Sequence, residues 1–201
     1  MSLKPLEKYL PEGSLGYVEQ VFSKHAVVIK ITNPRLSRLG SFSAKRNGKP
    51  STINISGSLN PYFFLLTLMH ELAHLKIYEA YRNKVQPHGK EWKSMYKFLI
   101  QPLLAKDVFP KELMPLLVNH FQNPKASTSS DPALYKALRG FNPGEESIIT
   151  VEDLGRDERF LWRQRVFQRK EKLRKRYKCV DVKNRKEYLF SPLAEVVPLR
   201  S

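Results

Sequence analysis

The chain has 201 residues, 41% of them hydrophobic and 27% charged, which supplies one sizeable core or two small ones and excludes wholesale disorder. Lys and Arg number 35 against 19 Asp and Glu, and the formal charge of +16 points to a polyanionic partner, nucleic acid or an anionic membrane face, rather than to an acidic protein. A single cysteine, Cys179, builds neither a disulfide framework nor a zinc site of paired cysteines, and a reducing cytoplasm is the expected setting.

The N-terminus has no apolar signal-peptide core, and no stretch approaches the ~18 apolar residues of a membrane span, so secretion and membrane insertion are not expected. Leu15, Val18, Val21 and Phe22 recur at the spacing of a short amphipathic helix. Three candidate strands follow, His25 to Ile31, Gly40 to Lys45 and Thr52 to Ile55, with Arg46-Asn47-Gly48 suited to a hairpin turn. Asn60-Pro61 then supplies a cap and an N1 proline, and the absence of Gly and Pro from Tyr62 to Arg82 predicts a helix of about 20 residues. A second helix is expected from near His88, carrying Trp92, Met95, Tyr96, Leu99 and Ile100 on one side and ending before Pro102. Glu112 to Phe121 reads as a third, with Pro115 tolerated in its first turn. The polar, Pro-bounded stretch from Asn123 to Pro132 reads as a boundary, and Ala133 to Leu138 as a short helix beyond it. Past Gly155 the pattern turns to short strands, Arg165 to Gln168, Arg174 to Val182 and Glu187 to Phe190.

Inside the predicted long helix lies His70-Glu71-Leu72-Ala73-His74. Residues four apart on a helix differ by only about 40° in direction and about 6 Å in height, so both imidazoles can reach one cation. A zinc ion at about 2.0 to 2.1 Å from each nitrogen suits that geometry, and Glu71, about 100° around, can reach a water without being a ligand. The bland alternative is a pair of partly buried histidines bonded to backbone. A catalytic zinc needs a third protein ligand. His25 and His120 read as structural, and Glu79 points about 140° away from His74. That leaves His88, across the turn at 81–87, with Glu91 as the carboxylate fallback.

These residues, HELAH followed by His88-Gly89-Lys90-Glu91-Trp92, resemble the SprT-like (Spartan) metallopeptidase family, whose pattern is HExxH, a short insertion and His-Gly-x-x-Trp/Phe. The resemblance covers roughly residues 15 to 125 and implies His70, His74 and His88 as ligands of one zinc ion and Glu71 as the catalytic glutamate. It also implies an α+β fold, a small zincin-like domain of helices on a short antiparallel sheet, with Gly89 as a tight helix start and Trp92 as a core anchor. The best-understood members cleave proteins bound or crosslinked to DNA. Zinc would activate a water, Glu71 would take its proton and later pass one to the departing amine, and Tyr78, Tyr81 and Lys90 stand unranked as oxyanion stabilisers. Many members carry a C-terminal zinc ribbon with paired cysteines; with Cys179 alone no second metal is expected.

From Arg156 to Lys186 there are 14 Lys or Arg against 4 Asp or Glu, a surplus of ten positive charges. Arg163, Arg165, Arg169, Lys170, Lys172, Arg174, Lys175, Arg176 and Lys178 are the candidate phosphate contacts, giving salt-sensitive DNA binding with little sequence preference. Trp162, Phe167 and Tyr177 are either stacking surfaces for bases or, the favoured reading, part of a small core with Phe160, Leu161, Val166, Val180, Val182, Tyr188, Leu189 and Phe190. The expected organisation is a catalytic domain at 1–125, a linker with a short helix at 126–155, and a basic β module at 156–201. The expected function is a cytoplasmic zinc endopeptidase acting on DNA-bound proteins. The alternatives are a nucleic-acid-binding protein with a structural or vestigial zinc site, and a general peptidase whose tail binds something else.

Overall fold

Asn60 begins the element on which the first half of the chain is organised. Its side-chain oxygen accepts from the Phe63 N–H at 3.0 Å, Pro61 follows at the first helical position, and helix α2 (Pro61–Tyr81) runs for 21 residues. Its residues from Phe63 to Met69 are all buried, which makes α2 a central helix rather than a surface one. The computed structural model describes residues 3–33, 39–46, 48–142 and 149–199, and the chain divides into two compact units, Met1–Asn142 and Pro143–Ser201.

In the first unit, α1 (Leu15–Phe22) has the expected bounds, and three strands follow, β1 (Val27–Thr32), β2 (Gly40–Ser43) and β3 (Ser51–Ser56). Their sheet is mixed, in the order β1-β3-β2, with β1 parallel and β2 antiparallel to β3. The expectation of an antiparallel sheet is therefore corrected. Strand direction is set by which edge of the buried centre, here Ile53 and Ile55, each neighbour takes, and a strand's own alternation does not encode that. In the turn between β2 and β3, Arg46 bridges Lys49 and Gly48 has φ +75°; Asn47, the other half of the expected turn pair, lies outside the described residues.

Helix α3 (Lys90–Leu104) packs on α2 through Trp92, Tyr96, Leu99, Ile100 and Leu103. It continues through Pro102 instead of stopping before it, because so near the C-terminus the ring forfeits one ladder bond, to the Phe98 carbonyl. Helices α4 (Met114–Gln122) and α5 (Pro132–Arg139) complete the unit. The polar segment read as a linker is no spacer up to Asn142. Leu134 and Leu138 enter the same core as α2, and Asn60 Nδ2 donates to the Leu138 carbonyl at 2.7 Å. Of the remainder of that expected linker, 143–148 lies outside the described residues, while Val151 and Leu154 belong to the second core.

That second unit is one antiparallel sheet, in the order β7-β6-β5-β4-β8, formed by β4 (Arg159–Trp162), β5 (Arg165–Lys172), β6 (Tyr177–Asp181), β7 (Glu187–Phe190) and β8 (Val197–Leu199). Phe160, Phe167, Tyr177, Cys179 and Phe190 fill its core, with Trp162 and Tyr188 packed against them. Leu189, expected in that core, faces outward at 54% exposure, since its neighbour Phe190 takes the inward position of a two-residue repeat. Strands β4 and β8 add to those read from the sequence. Among the described residues no helix is long and apolar enough to cross a membrane.

Candidate metal centre

Two elements and one strained turn bring the histidines together. His70 and His74 lie four residues apart on α2, one turn above each other. The chain then leaves the helix through Arg82 at φ 55° and reaches His88 at φ 78°, a left-handed conformation that non-glycine residues seldom adopt. Gly89 follows as the N-cap of α3, where a Cβ would stand 3.1 Å from the Gln86 carbonyl oxygen, so the tight helix start has a steric cause. The three Nε2 atoms form a triangle with sides of 3.2 Å (His70–His74), 3.0 Å (His74–His88) and 3.4 Å (His70–His88).

Four tetrahedral ligands at about 2.0 to 2.1 Å from zinc lie about 3.3 Å apart, so this triangle matches one face of such a tetrahedron. Burial, reinforced by mutual repulsion with the neighbouring imidazoles, pushes His70 down to about 3 and His74 to about 4, and burial also lowers His88. All three are therefore neutral at physiological pH, the form with a lone pair to give a cation. Geometry and protonation state both fit a zinc ion. Trp92, fully buried, forms the floor, with its ring centroid 4.6, 5.3 and 4.7 Å from those of His70, His74 and His88. Tyr96 backs His70 and donates its hydroxyl to the Leu66 carbonyl at 3.1 Å, which ties α3 to the ligand helix.

Glu71 is 6% exposed and accepts a hydrogen bond from the Phe42 backbone N–H of β2; burial nevertheless outweighs that bond and pushes its carboxyl up to about 7. It opens with the three histidines onto a cavity of about 480 Å3, lined also by Leu39 to Phe42, Ala126 to Thr128 and Tyr135. Among the described residues β2 is an edge strand of its sheet, and it borders this cavity.

The other candidates read from the sequence lie elsewhere. His25 pairs with Glu79 at 2.7 Å and His120 with Asp131 at 2.9 Å, both structural. Glu91 is outside the ligand triangle, its carboxylate 3.9 Å from Lys90 Nζ. Tyr78 packs on Phe42 and under Arg82, and Tyr81 and Lys90 line a separate groove with Phe98. Sequence reasoning missed Gly40, Thr67 and Tyr135. Thr67 was within reach, one turn before Glu71 on the same helix; Gly40 and Tyr135 arrive from elements whose placement no local pattern announces.

In the second unit the basic residues divide into paired and unpaired sets. Arg165 binds Asp181 and the Tyr188 hydroxyl, Lys170 binds Asp157, and Lys178 binds Glu187 and Glu171. Arg163 stacks on Trp162 at 4.5 Å, and Arg169 and Lys172 lie over Tyr177 at 4.2 and 5.4 Å. Arg174, Lys175 and Arg176 are exposed in the β5–β6 turn, without a carboxylate partner among the described residues.

Residues 14–107, which carry the three histidines and Glu71, match the family model described as SprT-like family. A curated relative, "Protein SprT" of Glaesserella parasuis serovar 5 (strain SH0165), is 64% identical over 28 residues, a match that spans 14% of this chain and 17% of that protein. No solved structure matches the chain. The likeness to the SprT-like family rests on the segment 14–107, which holds the whole histidine triangle and Glu71.

Proposed function

We propose that the protein is a zinc-dependent endopeptidase that acts on proteins bound or crosslinked to DNA. One observation carries the reading: three neutral imidazoles converge at 3.0 to 3.4 Å beside a buried carboxyl, all facing one open cavity. His70, His74 and His88 would hold the ion, which when bound supplies Lewis-acid polarisation of a carbonyl and acidifies water. Glu71 has the proton affinity for the remaining chemistry. Without the ion, burial lifts its carboxyl to about 7, and a carboxyl of raised proton affinity in this position can take a proton from the attacking water and return it to the departing amine. The edge of β2 at the cavity offers backbone groups to an extended substrate.

The second unit supports the DNA half of the proposal through its unpaired cations. Those of the β5–β6 turn, Arg174 to Arg176, and those of the β6–β7 turn, Lys183, Arg185 and Lys186, sit at opposite ends of the sheet. Phosphate contacts made from such turns are salt-dependent and carry no base readout.

The test incubates zinc-loaded full-length protein with a DNA-binding protein substrate, with and without single-stranded DNA, beside Glu71→Gln. Cleavage that needs both DNA and Glu71, with zinc retained by the variant, is expected. Zinc binding without cleavage would leave a nucleic-acid-binding protein with a structural metal. Casein cleavage indifferent to DNA would leave a general peptidase.

A further inference from the structure

Among the described residues, the cavity above the three imidazoles is lined by one phenol, that of Tyr135 on α5. Its oxygen accepts a hydrogen bond from Arg139 Nη1 at 3.1 Å, and the guanidinium also lies over the ring, at 5.8 Å from its centroid. Tyr135 and Arg139 are four residues apart and so share a face of the helix. A guanidinium only donates. The phenol oxygen must therefore spend a lone pair on Arg139, its single proton is left for another acceptor, and polarisation by the cation makes it a stronger donor. Thr67, the hydroxyl nearest Glu71 along α2, has no proton to offer, because it donates to the Phe63 carbonyl at 2.8 Å.

Tyr135 is also held in place. Its ring packs edge-on against Phe63 of α2, at 5.7 Å between centroids. Leu134 and Leu138, on either side of it in sequence, are buried in the core. Asp131 accepts from the Leu134 N–H at the start of α5 and pairs with the buried His120, and Asn60, the cap of α2, donates to the Leu138 carbonyl. The helix bearing the phenol is thus tied directly to the helix bearing His70, Glu71 and His74, the rigid support that a preorganised donor requires.

From this arrangement we infer that Tyr135 donates its phenolic hydrogen to the scissile carbonyl oxygen as that oxygen gains negative charge, and that Arg139 is the positioning residue that orients it. The inference rests on the peptidase reading above and gives that site its oxyanion donor. Tyr135→Phe keeps the ring and its packing and removes only the hydroxyl. In the zinc-loaded full chain, kcat for peptide cleavage should fall about 10²- to 10³-fold with KM little changed. Affinity for a phosphinic pseudopeptide, a non-cleavable mimic of the tetrahedral oxyanion, should fall by a similar factor, while zinc affinity and melting temperature stay at wild-type values.

Arg139→Met should shift both readouts in the same direction by less, and Arg139→Lys should recover part of the loss. Wild-type turnover and phosphinate affinity in Tyr135→Phe would overturn the donor role while leaving the peptidase reading intact. An Arg139→Met protein that matches wild type on both would overturn the positioning role. A wild-type protein that binds zinc but neither cleaves peptide nor binds the phosphinate would remove the peptidase reading, and Tyr135's role with it.

Discussion

Gly40 of β2 lies against Thr67 and Glu71, and the structure gives the consequence of adding one methyl group there. A Cβ at this position would lie 2.6 Å from Thr67 Cγ2, 3.0 Å from Glu71 Oε1 and 3.2 Å from Glu71 Cγ. Carbon atoms in contact prefer about 3.5 to 4.0 Å, so the shortfall against Thr67 is about 1 Å. Thr67 cannot easily yield: its χ1 is stiff, and its hydroxyl is bonded to the Phe63 carbonyl. The mobile group is the Glu71 carboxylate, which can retreat only by leaving the Phe42 N–H. Gly40→Ala should therefore cost about 1 to 3 kcal/mol of stability as overpacking. The Glu71 contacts are less severe and push the carboxylate by only a few tenths of an ångström, so kcat should fall, but by less than the roughly 10²-fold that a 1 Å misplacement costs. Zinc affinity should not change, because the histidine nitrogens are not among the atoms the methyl meets. Turnover of a DNA-binding protein substrate in the presence of DNA, zinc titration calorimetry and a thermal melt read the three effects separately. Adding Thr67→Ser deletes Cγ2 but keeps the hydroxyl bond, and should restore most of the melting temperature with less effect on kcat, since the contact with Glu71 persists. A single Gly40→Ala variant with wild-type kcat would refute the claim that this close approach fixes the glutamate.

Asn60→Ala removes the α2 cap and the side-chain donor to the Leu138 carbonyl, which keeps the Phe141 N–H; together these should cost about 1 to 3 kcal/mol, read as a fall in the urea midpoint of the first unit. In metal-free protein, His70 and His74 titrate at about 3 and 4 against an ordinary 6.5, so the unfolded chain binds protons that the folded chain refuses. Their contribution is full above the unfolded value and is lost as pH falls toward the folded values; the urea midpoint in EDTA should drop more between about pH 7.5 and about pH 5 than it does in a His70→Gln/His74→Gln protein. Burial pushes the Cys179 thiol up to about 11, so it should resist a disulfide reagent at mild alkaline pH until the second unit unfolds. Rapid labelling of the native protein would contradict that.

What could be read from the sequence follows from how local each signal is. His70 and His74 are placed by the helical period, and the helix itself by Asn60 and Pro61, so neither needs tertiary information. His88 was reached by elimination and by the motif, not by local structure, since nothing in 82–88 announces the two positive φ angles that turn it back toward α2. The parallel pairing of β1 with β3 was hidden for the opposite reason: three consecutive strands invite a meander, and only the burial of Ile53 and Ile55 places β3 between the others. Strand β8 contains Pro198, which discourages a strand assignment, yet at the edge of a sheet a missing donor costs little. The polar stretch before Pro132 looked like a linker because Ser, Thr and Asp suit loops, whereas Asp131 is there to cap α5 and to pair with His120.

Charge is the property for which composition and structure diverge most, and the divergence bears on function. Fourteen cations between Arg156 and Lys186 read in the sequence as one continuous footprint. Folding into a sheet splits them: Arg165 and Lys178 face carboxylates across neighbouring strands, and Lys170 faces Asp157 in the turn before β4, where opposite charges stabilise the pairing, and such cations are poorly placed to release counterions from a phosphate chain. The turns obey a different rule. A hairpin tip has no cross-strand partner, so Arg174, Lys175 and Arg176 keep their charge available to a ligand, and Asp181 accepts from the Lys183 and Asn184 N–H groups to fold the other tip around Lys183, Arg185 and Lys186. The strands spend their charge on holding the sheet, and electrostatic attraction to a polyanion falls to the turns. A count of basic residues therefore overstates how many phosphates this unit could meet.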